Sequence, residues 1–364
     1  MATYEYEAPA NESSILGLDI FSTTWTGGSA TITAVRAKCG SGQATFNFKV
    51  NPTVYGILED SVMAADVLAH IRAEDLDLTN SDGDDVQSIY SFGNPAWNFY
   101  RQGTNSKRPE YNSSGGLNNQ PYIDFDGADH SLPVFTGTSS WDSDTFWTMG
   151  AVIGDVSTTS TDPIVGNTDL SQGDWLSMWG TSGTKHRIAN DSNYYEQTAD
   201  KLASSQIRII QGKTSSGSGA VSEFVNGTGI FSNESIITST GKYTFNTVGQ
   251  MGRTYRSTTS YRNTEMELHE LVMMEGSIET GPRQILEGYW AHRYDLTGNL
   301  PSTHPYKTTA PDEPTYELSS DIVLTSSYSA SQSVSISIDT GDEITLFVPK
   351  QQNAGVVTAE FTVT

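Results

Sequence analysis

Short runs in which apolar and polar residues alternate recur along most of the chain. This period of two is typical of β-strands that bury one face. In FWTMGAVI, residues 146–153, every second residue from Trp147 to Ile153 is apolar and shares one face. Loops rich in glycine, serine and asparagine separate such runs, which favours tight turns between strands. The pattern predicts an all-β fold.

One stretch has the period of a helix. Thr280 is a suitable N-cap, and Pro282 stands in the first turn, where its missing N–H is tolerated. Gly298 suits the left-handed position after a helix, and Pro301 prevents continuation. The residues that recur at helical spacing are Ile285, Leu286, Tyr289, Arg293 and Leu296. We expect a helix that packs Leu286 and Tyr289 on the edge of a β-sandwich.

The two ends of the chain share one texture of short alternating strands. SVSISI places Val334, Ile336 and Ile338 on one face, and DTGD predicts a turn into the next strand. Each end is too short to build a core alone without disulfides. The sequence therefore predicts a small discontinuous β-sandwich, residues 1–65 and 313–364, with a domain of residues 66–312 inserted into it.

Composition narrows the range of partners. The 364 residues include 20 Lys and Arg against 43 Asp and Glu, a formal charge of −23. Such a surface repels phosphate backbones and anionic lipid headgroups, so we expect neither a nucleic-acid nor a membrane partner. Cys39 is the single cysteine, which excludes an intramolecular disulfide. The first residues lack the basic and apolar regions of a signal peptide, which favours folding in a cytoplasm.

Two segments resemble a known family. LAHIRAEDLDLTNSDGDDVQSIYSFGN at 68–94 and RPEYNSSGGLNNQPYIDFDGADHSL at 108–132 are similar to the start of laminin-G-like domains, and residues 269–306 resemble the end. The resemblance implies a concanavalin A-like lectin/glucanase sandwich, or jelly roll, with one C-terminal helix. Its members include lectins, adhesins, hydrolases and spacers, so the fold alone does not give the function.

The outer segments resemble small β-domains of tailed-phage virion proteins. ITAVRAKCGSGQATFNFKVN, followed much later by GDEITLFV, carries this similarity. It implies a protein made in a bacterial host cytoplasm and displayed on the virion surface. The implied partners are the major capsid protein and further copies of the chain, because a small sandwich leaves sheet edges to be covered.

The strongest candidate for catalysis is EMELHE, residues 265–270. Retaining glycosidases of the resembled fold carry spaced carboxylates on one strand, about 5–5.5 Å apart. Glu265, Glu267 and Glu270 nearly match this spacing, but Glu267 replaces an aspartate. The alternative is that Glu270 is structural and pairs with Arg293. We favour the structural role, and with it a protein that is not an enzyme and has no catalytic residues.

An acidic loop could bind a metal ion. Residues 74–85 include Asp75, Asp77, Asp82 and Asp84, and calcium takes six to eight oxygen ligands. The spacing does not fit an EF-hand, because Leu78 stands at the first ligand position. We favour a solvated turn and no cofactor, with calcium as the alternative.

Aromatic residues could form a platform for sugar rings. In DWLSMW, alternation sends Trp175 and Trp179 to one face and Leu176 and Met178 to the other. If the aliphatic pair faces the core, both tryptophans lie on the concave surface; the alternative is burial of the tryptophans. The predicted carbohydrate-binding residues are Trp175, Trp179, Tyr194, Tyr195 and Tyr255.

These expectations combine into one hypothesis. The chain is a phage virion structural protein, a capsid decoration protein that displays a lectin-like domain able to bind a cell-surface glycan. A tail fibre lectin that recognises host polysaccharide is the alternative, and a retaining glycosidase that uses Glu265 and Glu270 is a further one.

Overall fold

The structure of the chain is a computed structural model. The residues it describes are 2–8, 19–39, 43–50, 67–78, 80–89, 98–100, 104–135, 141–142, 147–156, 164–167, 174–181, 185–190, 193–197, 205–213, 219–236, 244–245, 249–257, 260–311, 321–324, 329–352 and 357–364. The chain divides into two compact units. Unit 1 consists of Met1–Ser61, Tyr90–Pro95 and Asp312–Thr364, and unit 2 of Val62–Ile89 and Ala96–Pro311.

Almost all regular structure in the described residues is β-strand. The strands are, in chain order, β1 (Ala2–Ala8), β2 (Asp19–Thr24), β3 (Ala30–Cys39), β4 (Gln43–Val50), β5 (Val67–Arg72), β6 (Asp84–Asp85), β7 (Ser88–Ile89), β8 (Asn98–Tyr100), β9 (Glu110–Asn112), β10 (Tyr122–Asp126), β11 (Leu132–Phe135), β12 (Trp141–Asp142), β13 (Trp147–Val156), β14 (Val165–Asn167), β15 (Asp174–Thr181), β16 (Lys185–Asn190), β17 (Asn193–Gln197), β18 (Gln206–Lys213), β19 (Gly219–Val225), β20 (Thr228–Ile236), β21 (Thr244–Phe245), β22 (Gly249–Met251), β23 (Arg253–Ser257), β24 (Ser260–Asn263), β25 (Glu265–Glu275), β26 (Asp321–Leu324), β27 (Ser329–Ile338), β28 (Glu343–Gln352) and β29 (Val357–Val363). Between β25 and β26 lies the helix α1 (Thr280–Arg293). Short 3-10 turns span Ala73–Leu78, Asn105–Lys107, Leu117–Asn119 and Thr297–Asn299.

Unit 1 contains two four-stranded antiparallel sheets. One has the order β1-β29-β3-β27 and the other β2-β28-β4-β26. A buried cluster joins side chains of both sheets, including Ile32 and Phe361 from the first and Ile344 from the second. Val334, Ile336 and Ile338 all belong to or pack against this cluster, so the period of two in SVSISI is confirmed. Gly341 supplies the positive φ of the predicted turn, at 97°.

Unit 2 is built around a nine-stranded and a five-stranded sheet. The large sheet has the order β20-β19-β18-β13-β25-β10-β9-β6, with β5 also paired to β25, and the smaller one has the order β14-β22-β11-β8-β7. One buried core draws side chains from both sheets: Met149 and Leu271 come from the large sheet, and Leu132 and Met251 from the smaller one. In the part of the chain that the structure describes, the fold is thus an antiparallel β-sandwich with one α-helix, and the predicted all-β class is confirmed.

The helix packs on the middle of the large sheet, not on its edge. Leu286, Tyr289 and Trp290 are buried along one side of α1. A Cβ atom on Gly150 of β13 would come within 2.8 Å of the Trp290 ring, so the absence of a side chain there lets the indole lie against the backbone. β13 lies between β18 and β25, at the centre of the sheet. The predicted position on the sandwich edge is therefore wrong.

The helix also ends before the predicted glycine. Tyr294 is its C-cap, and Asp295 takes the left-handed conformation with φ 55°. The Leu296 N–H donates to the Ala291 carbonyl at 2.7 Å, which closes a Schellman-type end. Gly298 lies in the 3-10 turn that follows. Asp and Asn tolerate the left-handed region better than other non-glycine residues, so Asp295 ends the helix first.

Within the described residues, no helix has the length and apolarity required to cross a membrane.

Candidate functional site

A bulge in β25 places three glutamates on one face of the large sheet. Val152 of β13 pairs with Glu270 and Ile153 pairs with Leu268, so His269 is an extra residue in β25. Met266, Leu268, Leu271 and Met273 point into the core. Glu265, Glu267 and Glu270 consequently belong to the opposite face, which we call the outer face.

Glu270 is enclosed on the outer face by a buried polar network. Its carboxylate is fully buried, as is the imidazole of His70 on β5. His70 Nε2 lies 2.8 Å from Glu270 Oε1, and the Tyr294 hydroxyl donates to Glu270 Oε2 at 2.9 Å. Since an ionised carboxylate can only accept, Nε2 carries the proton in this pair. Both carboxylate oxygens are therefore satisfied by the protein itself.

The electrostatics of Glu270 do not suit a general acid. Burial by itself would raise its pKa, but the hydrogen bond and charge of His70, together with Arg293, outweigh burial and lower the pKa to about 2. Burial also lowers the pKa of His70. A general acid in a glycosidase needs a raised pKa and access to the glycosidic oxygen. The Glu265 and Glu270 pair cannot provide this chemistry in the arrangement observed.

The predicted partner of Glu270 was only partly right. Arg293 lowers the pKa of Glu270 through its charge, but its guanidinium forms an ion pair with Glu74, which follows β5. His70 and Tyr294 are the hydrogen-bonding partners. No local pattern in the sequence indicates this contact, because His70 lies 200 positions away from Glu270.

The other two glutamates lie on an open part of the outer face. Glu265 is exposed and is registered opposite Asp126, and Glu267 is registered opposite Asp124 on β10. The Asp155 N–H donates to Glu267 Oε2 at 3.2 Å. Partial burial, reinforced by neighbouring carboxylates, raises the pKa of both Glu267 and Asp124. This open half thus keeps its carboxylates partly desolvated and mutually repelling.

His269 lies between the covered half of the outer face, around Glu270, and its open half, around Glu265 and Glu267. The Leu117 N–H lies 3.2 Å from its Nε2, and its Nδ1 lies 2.8 Å from the Pro121 carbonyl. Burial lowers its pKa to about 4, so the ring is neutral at pH 7. A Cβ atom on Gly116 would approach the His269 ring to 2.3 Å. The ring therefore holds the loop after β9 in place.

His304 connects the segment after α1 to the helix. It is buried, and its Nε2 lies 3.2 Å from Glu287 Oε2 on α1. Glu287 Oε1 in turn accepts a hydrogen bond from Arg283 one turn earlier. His292 Nε2 lies 2.9 Å from the Tyr306 carbonyl. These contacts tie the segment after α1 to the helix.

In the described residues, the acidic loop at 74–85 does not bring potential metal ligands together. Asp82 Oδ1 accepts from the Ser113 N–H at 2.7 Å and from its hydroxyl at 2.8 Å. Asp84 Oδ2 accepts from the Ser81 N–H at 2.7 Å, which is a local turn contact. The described residues contain no group of three or more acidic, histidine or cysteine side chains that could hold a metal ion. The side chains of Asp75 and Asp77 lie outside the described residues.

The predicted aromatic platform falls on the three-stranded sheet of β15, β16 and β17. Two rows of directly paired positions cross it, with Trp175, Ala189 and Tyr194 in one row and Trp179, Arg187 and Glu196 in the other. Positions 187 and 189 are two residues apart on β16, so both rows belong to the same face. We call this the aromatic face, defined by the register positions of Trp175, Trp179 and Tyr194.

The remaining two predicted residues occupy other positions. Tyr195 is paired with Ile188, which assigns it to the opposite face of the same sheet. Tyr255 lies on the β23-β24 hairpin, opposite Tyr261. Strand β14 contacts both β15 and β23, so this hairpin belongs to the neighbourhood of the sheet. The backbone register thus groups three of the five predicted residues on one face.

No protein-family model and no curated protein matches the chain. Solved structures with a similar arrangement include domain 4 of the GH43 extracellular arabinanase AbnA from Geobacillus stearothermophilus in complex with arabinotriose. That match has 16% identity and a TM-score of 0.36, and covers 60% of this chain and 96% of the domain. A GH54 α-L-arabinofuranosidase matches with 12% identity and a TM-score of 0.43, covering 69% of this chain and 62% of that one.

A Trypanosoma rangeli sialidase mutant with trans-sialidase activity matches with 8% identity and a TM-score of 0.39. The match covers 64% of this chain and 35% of the sialidase, about a third of that protein's length. The matches named here come from glycosidases, so the expectation that the chain is not an enzyme is contradicted, and we withdraw it. The TM-scores are too low to transfer a reaction or a substrate to this chain.

Proposed function

We propose that unit 2 binds carbohydrate through the aromatic face. The supporting observation is the register that brings Trp175, Trp179 and Tyr194 to one face of a three-stranded sheet. Aromatic rings present an apolar surface to the C–H face of a sugar ring, and polar neighbours fix its orientation. The register shifts between Trp175 and Trp179, where β15 has two more residues than β16, and an even number of extra residues leaves both tryptophans on the same face.

A pair of variants on opposite faces tests this proposal. Trp175→Ala and Trp179→Ala should each weaken binding to a glycan found by array screening about tenfold, because each removes one stacking surface. Tyr195→Ala is the matched control, since it removes an aromatic ring from the other face of the same sheet. Equal losses in all three variants would mean that the sheet is merely destabilised, and unchanged binding in the tryptophan variants would refute the assignment.

We propose further that the chain is a surface protein of a phage particle, with unit 1 as the anchor. The support is the resemblance of its β3, β4 and β28 segments to small virion β-domains. Each sheet of unit 1 also ends in edge strands, namely β1, β27, β2 and β26 among the described strands. Edge strands offer unpaired backbone groups to the major capsid protein or to another copy of the chain.

The location on the particle can be tested by cryo-electron microscopy of the virion that carries this chain. Many copies at symmetric positions on the head, attached through unit 1, would establish a capsid decoration protein. A few copies at a tail tip would favour the alternative, a receptor-binding tail fibre. Absence of the chain from purified particles would refute both locations, while leaving the glycan-binding proposal untouched.

A further inference from the structure

The register of the three-stranded sheet also decides which charged residues share the aromatic face. Directly paired residues lie on the same face, and so do residues two apart on one strand. The central strand β16 therefore gives three positions to this face, namely Lys185, Arg187 and Ala189. Two of these three positions are basic. The edge strand β17 adds one carboxylate, Glu196.

This basic pair stands out against the rest of the chain. The sequence carries 20 Lys and Arg against 43 Asp and Glu. Lys185 is registered opposite Thr181 on β15, whereas Arg187 is registered between Trp179 and Glu196. The Arg187 and Glu196 positions suit an ordinary cross-strand ion pair, which would explain one basic residue. Lys185 is paired with a neutral position on β15, so its pairing with that strand does not supply a carboxylate.

The combination of rings and cations indicates the kind of sugar. Neutral glycans need stacking surfaces and hydrogen-bonding groups but no net positive charge. A guanidinium presents a planar fork of donors that matches a carboxylate, and an ammonium adds a point charge. A strongly acidic protein would repel an acidic polymer unless its binding surface were locally basic. Basic positions between aromatic positions meet this requirement.

We propose that the aromatic face takes an acidic glycan whose sugar rings carry carboxylate groups, with Lys185 and Arg187 binding the carboxylates beside the aromatic positions. This inference rests on the proposed carbohydrate-binding function. It adds the chemical class of the ligand and two residues that contact it.

The test uses the full chain and matched pairs of sugars. The probes are oligomers of galacturonate, glucuronate and mannuronate, each with its methyl ester, which removes the charge and keeps the rings. Titration calorimetry should find at least one acid that binds, with its ester bound about tenfold more weakly or worse. The double variant Lys185→Gln/Arg187→Gln should weaken binding of the acid about tenfold or more, because charge-assisted hydrogen bonds are lost.

Two controls separate this inference from its alternatives. Arg36→Gln removes an exposed positive charge from β3 in unit 1 and should leave binding unchanged. If it weakens binding as much as the double variant, the attraction is nonspecific and the inference is wrong. Far-UV circular dichroism and the unfolding midpoint of the double variant should match those of the wild type.

The outcomes also separate this inference from the proposed function. If acid and ester bind equally and the double variant binds like the wild type, while Trp175→Ala abolishes binding, the carbohydrate site stands and its acidic specificity is refuted. If no acidic oligomer binds but a neutral glycan does, the conclusion is the same. If no glycan of either kind binds, both proposals fall together.

Discussion

Glu267 and Glu270 lie three residues apart on one strand and on one face of the same sheet, yet they have opposite electrostatic environments. Helix α1 and β5 enclose Glu270, whose two oxygens meet His70 and Tyr294. Glu267 lies on the open half, opposite Asp124 and near Asp155. The pKa of Glu270 falls to about 2, and that of Glu267 rises. Both glutamates belong to the same run, EMELHE, and their spacing in the sequence does not distinguish them. The surrounding strands and the helix therefore decide the chemistry of each carboxylate.

The comparison also explains why a glycosidase-like spacing need not be a glycosidase site. A catalytic pair needs two carboxylates that reach the same substrate, one of them with a raised pKa. Here the carboxylate with the raised pKa, Glu267, is accessible, while Glu270 is sealed beneath the helix. The bulge at His269 directs all three glutamates to one face but does not give them a common solvent space.

The largest effect should come from removing the enclosed carboxylate. Glu270→Ala leaves His70 and the Tyr294 hydroxyl without their shared acceptor and opens a cavity beneath α1. Leaving two buried hydrogen-bonding groups without a partner and creating a cavity together typically cost about 3–5 kcal/mol. Urea unfolding, fitted with separate transitions for the two units, measures the loss.

Glu265→Ala is the matched control for this variant, because it removes an exposed carboxylate from the same strand and face. Its free energy of unfolding should stay within about 0.5 kcal/mol of the wild type. A loss below about 1 kcal/mol for Glu270→Ala would mean that the network under the helix does not hold α1 on the sheet.

The second prediction concerns pH. The folded pKa of Glu270, about 2, lies below its ordinary value of 4.5, so the native state favours the ionised form. The resulting stabilisation is complete above the unfolded pKa and is lost as the pH falls from 4.5 towards 2. It amounts to about 3 kcal/mol at neutral pH.

Other carboxylates of the protein also titrate between pH 2 and pH 5. The effect of Glu270 is therefore measured as the difference in free energy of unfolding between two proteins. The free energy of unfolding of the wild type minus that of Glu270→Gln should be constant from pH 7 to pH 5 and should shrink at pH 3.5. A difference that stays constant down to pH 3 would show that the ionised form of Glu270 is not the one that the fold stabilises.

The local pattern of apolar and polar residues was sufficient to predict that the strands and the helix exist. The alternation of Trp147, Met149, Ala151 and Ile153 places all four in the core because a strand buries every second residue. The predicted start of α1 is one residue off, because Glu279 is the N-cap, without a side-chain capping hydrogen bond, and Thr280 is the first helical residue. The end of the helix was less predictable. Asp295 and Gly298 can both adopt the left-handed conformation that ends a helix, and Asp295 comes first in the chain.

Contacts between distant segments could not be predicted in the same way. The partner of Glu270 is His70, from a strand near the start of unit 2, and nothing near either residue indicates the pairing. Tyr194 and Tyr195 are adjacent, and only the pairing with β16 separates them onto opposite faces. Whether Lys185 and Arg187 share a face with the tryptophans likewise depends on the register between strands. A shift of one residue would reverse every such assignment.

The smallest expected effect has the opposite sign to that of Glu270. Because the pKa of Glu267 is raised in the folded state, its contribution to stability is greatest at low pH and is lost as the pH rises through the folded pKa. At pH 7, Glu267→Gln should therefore stabilise unit 2 by about 0.5 kcal/mol, a small value because solvent screens this half-exposed position. The amide oxygen of the glutamine can still accept the Asp155 N–H, so the variant isolates the charge.

Urea unfolding of Glu267→Gln at pH 7 and pH 4 checks this sign, with Glu265→Gln as the control for an exposed carboxylate on the same strand. The gain should appear at pH 7 and fade at pH 4, and the control should change little at either pH. A loss of more than about 1 kcal/mol at pH 7 would contradict the prediction, because it would mean that the surroundings favour the charged form. Repeating the measurement with and without a chelator would then show whether a cation on the open half, bound by Glu267 and Asp124, supplies that preference.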